Sequence, residues 1–223
     1  MTASRFEVDG VETVEGILSA AQCEVLAARP GVDAGATGNR ALLAQPWCSE
    51  LARSLRDHPR LQKHIPAGHV AVQCTFFEKS AGHNWLVPLH QDLSIPVAGR
   101  VEGTPLRGWS EKEGMLFVQA PPQTLAQIVA VRLHLDACGE DDGPLRVVPG
   151  SHAHGVLADE DARALRKAAG ETVCLAGQGG VLLLRPLLLH ASSKGAGRSR
   201  RRVLHFVFAP PALPHGLRWG LTV

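Results

Sequence analysis

The sequence lacks a strong excess of either charge. Its 23 Lys and Arg stand against 21 Asp and Glu, for a net charge of +2 and a pI near 8.4. That balance is too mild for a nucleic-acid footprint, and no basic stripe with interleaved aromatics occurs in a chain that is 4% aromatic. The one basic cluster is Arg198, Arg200, Arg201 and Arg202. Paired cysteines are also missing. Cys23, Cys48, Cys74, Cys138 and Cys174 are odd in number and far apart, with no C-x-x-C pair. This argues against a disulfide framework and a thiolate zinc site. The longest apolar run, Val181 to Leu189, is broken by Arg185 and Pro186 and is too short to span a bilayer. Residues 1–16 are polar and acidic, unlike a signal peptide. No repeat, low-complexity tract or linker divides the 223 residues. The expectation is one soluble domain, large enough for a core without staples, in a reducing, cytoplasmic setting. No membrane or nucleic-acid partner is expected, and the oligomeric state is left open.

What is present falls into two textures. Residues up to about 66 read as helical. Ser19-Ala20-Ala21-Gln22 is a capping box, opening a helix that Pro30-Gly31 must end. Gly31 to Gly38 reads as a glycine-rich loop. A second helix runs from about Trp47 to Arg56, with Leu51 and Leu55 on one face, and Asp57-His58-Pro59 closes it. From about 68 to 210, short strands alternate with turn signals: His69–Glu78, Val87–Ser94, Gln127–Asp136, Leu145–Val148, Glu171–Leu175, Gly180–Leu184 and Arg202–Phe208. One helix, Asp159–Ala169, lies among them, begun by Asp159 and ended by Gly170. Helices followed by many short strands predict a mainly β fold, a sandwich or jelly roll with flanking helices. Residues 97–125 are rich in Gly and Pro and long for a connection, yet Trp109, Met115 and Phe117 are too apolar for a solvated loop. A lid over a pocket and a surface excursion both fit.

The candidate chemistry centres on Asn84-Trp85-Leu86-Val87-Pro88-Leu89-His90-Gln91-Asp92. On a strand, residues i and i+2 share a face, so His90 and Asp92 would stand about 7 Å apart at their backbones. Two imidazoles and a carboxylate form the facial triad of non-haem Fe(II), which leaves coordination positions open. A lone His-x-Asp is also a common coincidence. His190 ends an apolar run and needs a partner, either a metal or a carbonyl. Eleven residues on, Arg201 opens a basic strand. If the two strands are adjacent, a bidentate guanidinium approaches the histidine, as a dicarboxylate would require. A solvated basic turn is the alternative, and is the reading for Arg198 and Arg200. Over 127–136, Val129, Val131, Leu133 and Leu135 take one face, suited to lie under helices. Ile128, Ala130, Arg132, His134 and Asp136 take the other. An inward charge is costly without an anion, so Arg132 is a candidate to grip an acidic substrate group. A reversed strand would put Arg132 and His134 in solvent. His152 and His154 have ligand spacing but read as turn and surface residues.

His90-x-Asp92, the run Asp142-Gly143-Pro144-Leu145-Arg146-Val147-Val148-Pro149-Gly150-Ser151-His152, His190 and Arg201 together resemble the phytanoyl-CoA dioxygenase family of Fe(II)- and 2-oxoglutarate-dependent oxygenases. The resemblance covers about Gln73 to Ala209. It implies a double-stranded β-helix, the cupin-like jelly-roll barrel. It implies Fe(II) held by His90, Asp92 and His190, and 2-oxoglutarate anchored by Arg201 with Ser192 as a further contact. It implies O2 as co-substrate and release of succinate and CO2. Gln73, Lys79 and Gln91 are further co-substrate candidates, and Trp85, Arg132, His134 and Trp109 are substrate candidates. Related halogenases carry a small residue in place of the carboxylate, so Asp92 favours hydroxylation of a small molecule, an acidic one if Arg132 faces inward. The chain departs from the pattern in its long 97–125 insertion, in Arg132, and in lacking an evident acyl-CoA site. Two alternatives stay open: a metal-binding jelly roll without turnover, and a cupin-type metalloenzyme that does not use 2-oxoglutarate.

Overall fold

Alternation along the strands of one sheet decides the architecture. The computed structural model describes residues 4–32, 39–196 and 200–223. In chain order the elements are α1 (Arg5–Asp9), β1 (Val11–Val14), α2 (Ala20–Ala27), α3 (Pro46–Arg56), β2 (Val70–Lys79), β3 (Val87–His90), β4 (Ser94–Val97), β5 (Ser110–Lys112), β6 (Met115–Gln119), α4 (Pro122–Leu125), β7 (Val129–His134), β8 (Leu145–Val147), α5 (Asp159–Ala169), β9 (Thr172–Cys174), β10 (Val181–Leu184), β11 (His190–Ser192) and β12 (Arg201–Ala209). They form three sheets: a major one in the order β1-β10-β7-β12-β2, a minor one in the order β3-β11-β8-β9, and a small one in the order β4-β6-β5. All strand pairings within them are antiparallel.

The outward residues of the major sheet, among them Val131, Leu133, Leu183, Leu204 and Phe206, form one core cluster with Leu51 and Leu55 of α3. The inward residues of the same strands are Arg132, His134, Arg201, His205, Lys79 and Thr75. Arg132 and His134 are 8% and 3% exposed, which rules out the reversed strand. Asp136 lies past the end of β7, where it accepts from the Arg202 guanidinium at 2.7 and 2.8 Å instead of facing the interior. Phe206 is fully buried between sheet and helix, so Phe206→Ala should cost about 3–5 kcal/mol of stability by cavity formation, measured by urea unfolding.

The helices follow their local signals. Ser19 and Gln22 cap α2 reciprocally, and Pro46 at the first turn of α3 gives up an N–H that needs no helical partner. One expectation is corrected. The N-terminal part is not only helical, because β1 adds a strand to the edge of the major sheet against β10. The 97–125 insertion carries strands of its own: β5 and β6 turn back tightly at Glu113-Gly114, both with positive φ, and β6 pairs with β4. The apolar run from Val181 does not continue as one strand. It breaks at Arg185-Pro186, where the chain leaves the major sheet and enters the minor one as β11. Consequently β11 and β12 are not neighbours, and His190 and Arg201 belong to different sheets. Asp33 to Gly38 and Arg198 lie outside the described residues.

Candidate active site

Two strands a hundred residues apart in sequence bring the imidazoles together. His190 on β11 is the direct cross-strand partner of His90 on β3, and their ring centroids are 4.1 Å apart. In each ring Nδ1 lies 2.9 Å from a carbonyl two residues back, Pro88 for His90 and Leu188 for His190. A carbonyl can only accept, so both Nδ1 atoms carry a hydrogen, and in the neutral rings both Nε2 atoms keep the lone pair a metal needs. Those Nε2 atoms sit 3.6 and 3.7 Å from the two oxygens of Asp92. One ligand atom from each of the three residues lies within 4.8 Å of the others, a spacing one metal ion can bridge. His90 and Asp92 do not share a strand. β3 ends at His90, and Asp92 occupies the crossover to β4 of the small sheet, fixed by its N–H to the Pro186 carbonyl at 2.9 Å. Burial opposes charge on all three groups. For His90 burial is the largest single effect, but the contact with Asp92, its charge and the backbone contacts together outweigh it and raise the pKa. For His190 burial wins and lowers it. Burial would raise the Asp92 carboxyl, but His190 and His90 together hold it well below the usual range, so it is a carboxylate.

The triplet lines a cavity of about 410 Å³, the size of a small-molecule site. Among the described residues Asp92 is the one carboxylate in that lining, against the cations Arg40, Lys79, Lys112, Arg132 and Arg201. Arg201 and Lys79 are direct cross-strand partners, each 3% exposed. Like charges opposed in this way repel, and burial strengthens the repulsion. Arg201 donates to the Gly143 carbonyl at 2.7 Å, and Lys79 donates to Ser192 Oγ at 2.8 Å and to the Ser193 carbonyl. Burial, then the Arg201 and Arg132 charges, push the Lys79 ammonium down to about 8. This corner is built for an anion.

Comparison with known proteins agrees. The family model for phytanoyl-CoA dioxygenase (PhyH) matches residues 6–203. The chain belongs to the phytanoyl-CoA dioxygenase family. That makes it an Fe/2-oxoglutarate-type oxygenase, on a cupin-like jelly-roll barrel. Among solved structures it is similar to EctD from S. alaskensis in its apoform, with a TM-score of 0.65 and 19% identity over 92% of this chain and 74% of that one. HygX from Streptomyces hygroscopicus, with nickel and 2-oxoglutarate bound, gives 0.62 and 18% over 92% and 84%. AviO1 from Streptomyces viridochromogenes Tue57 gives 0.60 and 20% over 94% of each chain. No curated protein sequence matches. No helix of the described residues is long and apolar enough to cross a membrane.

In this phytanoyl-CoA dioxygenase relative the other sequence candidates divide. Ser192, Gln73, Trp85 and Arg132 line the cavity, and Gln73 donates to Thr75 Oγ1 at 2.7 Å. Gln91 also borders it, but its amide is spent on backbone. It donates to the Gly155 and Leu187 carbonyls and accepts from Leu157 N–H, so it holds the crossover in place and has no donor left for a co-substrate. Trp109 lies away from the cavity, packed beside the cluster of Val118, Leu217 and Trp219 with Arg100 over its ring. His134 is buried on the inward face but outside the lining. Burial, then Arg132, lower its pKa to about 3, so it is neutral. His152 contacts the Glu7 carbonyl, 3.3 Å away, and His154 is exposed, so neither is a ligand. Sequence reasoning missed His205, 8% exposed and lining the cavity. The signal was available: His205 is four residues past Arg201 on one strand, hence on the same face.

Proposed function

We propose that the protein hydroxylates a small organic molecule, using Fe(II), O2 and 2-oxoglutarate and releasing succinate and CO2. The observation that carries this is the neutral-imidazole pair and carboxylate on the wall of a cavity whose remaining charged lining is cationic. His90, Asp92 and His190 would hold the metal on one face and leave the cavity side for ligands. Bound there, iron with 2-oxoglutarate supplies the oxygen activation. The chain's residues do the rest. Arg201 and Lys79, with Ser192 between them, bind the far carboxylate of the co-substrate and fix its orientation. The Pro88 and Leu188 carbonyls hold the ligand tautomers. Phe77, Phe117, Ile95 and Ile128 of the lining keep the cavity apolar between the polar groups and exclude water. Asp92 fills the place that a halide would need, which favours hydroxylation over halogenation. The deciding experiment is succinate release in the presence of a small-metabolite pool. Release that depends on Fe(II), O2 and 2-oxoglutarate together is the expected result. Metal binding with no succinate from any pool would instead support a binding protein without turnover.

Lys79 makes the co-substrate step pH-dependent. Its ammonium is charged below about 8 and neutral above it. A carboxylate bound by the charged form therefore binds more weakly as pH rises through 8. The Kd for 2-oxoglutarate on metal-loaded, anaerobic protein should rise about tenfold between pH 7 and 9, the worth of one charge-assisted hydrogen bond. In Lys79→Met it should start high and stay flat over that range.

A further inference from the structure

The co-substrate corner leaves one buried cation unused. Arg132, on β7 in the middle of the major sheet, is 8% exposed and lines the cavity. Among the described residues its one hydrogen bond runs from Nη1 to Nδ1 of His205, 3.2 Å away, and its Nε has no partner. Its guanidinium lies over the Phe77 ring, 5.4 Å from the centroid. A guanidinium can only donate, so His205 Nδ1 accepts and the ring hydrogen sits on Nε2. The two residues are direct cross-strand partners, so their spacing is held by the backbone register. Together they present only donors to the cavity: free guanidinium N–H groups and one imidazole N–H.

Charge accounting points the same way. With the metal and co-substrate bound, Asp92 and one carboxylate of 2-oxoglutarate would offset the two charges of Fe(II), and the far carboxylate would be shared by Arg201 and Lys79. Arg132 then still has no anion. A buried, unpaired guanidinium is costly, and an apolar residue of similar volume would serve the fold better. Burial, then repulsion from Arg201, lowers its pKa to about 10, which leaves it charged at neutral pH.

We propose that Arg132 and His205 form the subsite that recognises the prime substrate by a carboxylate, so that the substrate class is a small organic acid. This rests on the oxygenase reading, which puts 2-oxoglutarate on Arg201. The subsite sets specificity: Arg132 pairs with the carboxylate, and His205 Nε2–H directs its second oxygen.

The test uses formate as a carboxylate probe on the full chain, loaded with Ni(II) and saturated with 2-oxoglutarate. The expected result is a saturable rise in melting temperature that weakens at least about tenfold in Arg132→Gln. The 2-oxoglutarate affinity of that variant should stay within about threefold of wild type. No saturable effect in wild type, an undiminished effect in Arg132→Gln, or a loss of 2-oxoglutarate affinity as large as that in Arg201→Gln would overturn the proposal. If Arg132→Gln does not fold, the wild-type titration decides by NMR. Formate must move the His205 imidazole N–H resonance, assigned with His205→Gln, and binding that leaves it unmoved overturns the proposal. The formate arm is repeated on metal-free protein without co-substrate. Arg132-dependent formate binding there, with no 2-oxoglutarate binding to metal-loaded wild type, would remove the oxygenase reading and keep the anion subsite.

Discussion

Asp92→Ala should lower metal affinity by a hundredfold or more and abolish succinate release, while leaving the metal-free fold intact. The physical reason is its position between two neutral donors. Nε2 of His90 and of His190 each approach one of its oxygens, at 3.6 and 3.7 Å. Two neutral imidazoles alone bring no charge to a divalent cation, and among the described residues Asp92 is the only carboxylate lining the cavity. Changes merely next to metal ligands cost about 10–100-fold in affinity, so loss of the charged ligand should cost at least the upper end. The fold should tolerate the change, because the Asp92 side chain is 46% exposed toward the cavity and its structural bond is made by its backbone N–H to Pro186. Equilibrium dialysis with Fe(II) under argon and thermal unfolding of the metal-free protein measure the two halves. A large drop in the metal-free melting temperature would make the residue a structural one.

Arg201→Ala is expected to raise the Kd for 2-oxoglutarate by about a hundredfold, with little change in metal affinity. Removing one member of a buried charge pair costs about 2–5 kcal/mol, and about 3 kcal/mol is a hundredfold. Arg201 is 3% exposed, so a carboxylate bound to it is taken out of water and no solvent replaces the guanidinium. Two effects on the free protein should oppose each other. Relief from Lys79, its direct cross-strand neighbour, stabilises the fold, and the bond to the Gly143 carbonyl is lost. The Lys79 pKa should move up from about 8 toward the ordinary lysine value, because Arg201 is the strongest of the charges that depress it. Binding of 2-oxoglutarate by anaerobic titration and the Lys79 titration by NMR give independent readings. Unchanged co-substrate affinity would favour a metalloenzyme that does not use 2-oxoglutarate.

Several parts of the site could be read without coordinates because they rest on short-range periodicity. The period of two along 127–136 put Arg132 and His134 opposite Val131 and Leu133, and the buried pattern shows the same division. The period carried less far where the chain changes sheet. His90-x-Asp92 looked like one strand, yet the strand stops at His90 because the next residues pass from the minor to the small sheet, clamped by Gln91. In the apolar run after Val181 the break at Arg185-Pro186 was legible, but not that the chain there crosses from the major sheet to the minor one. Trp109 was drawn toward the site by its place in an apolar insertion, but it packs against the cluster of Val118, Leu217 and Trp219 and does not line the cavity.

Residue order alone determined which side chains could serve: two histidines and an aspartate for a cation, an arginine eleven positions past the second histidine, and Arg132 on the face opposite the apolar one. Tertiary structure decided who faces whom. It set His190 against His90, Lys79 against Arg201 and His205 against Arg132, each pair directly opposed across a ladder. Side-chain alternation is a local property of one strand, fixed by its own backbone. Register between strands distant in the chain is settled only when the whole barrel closes and its hydrogen bonds and core are satisfied together.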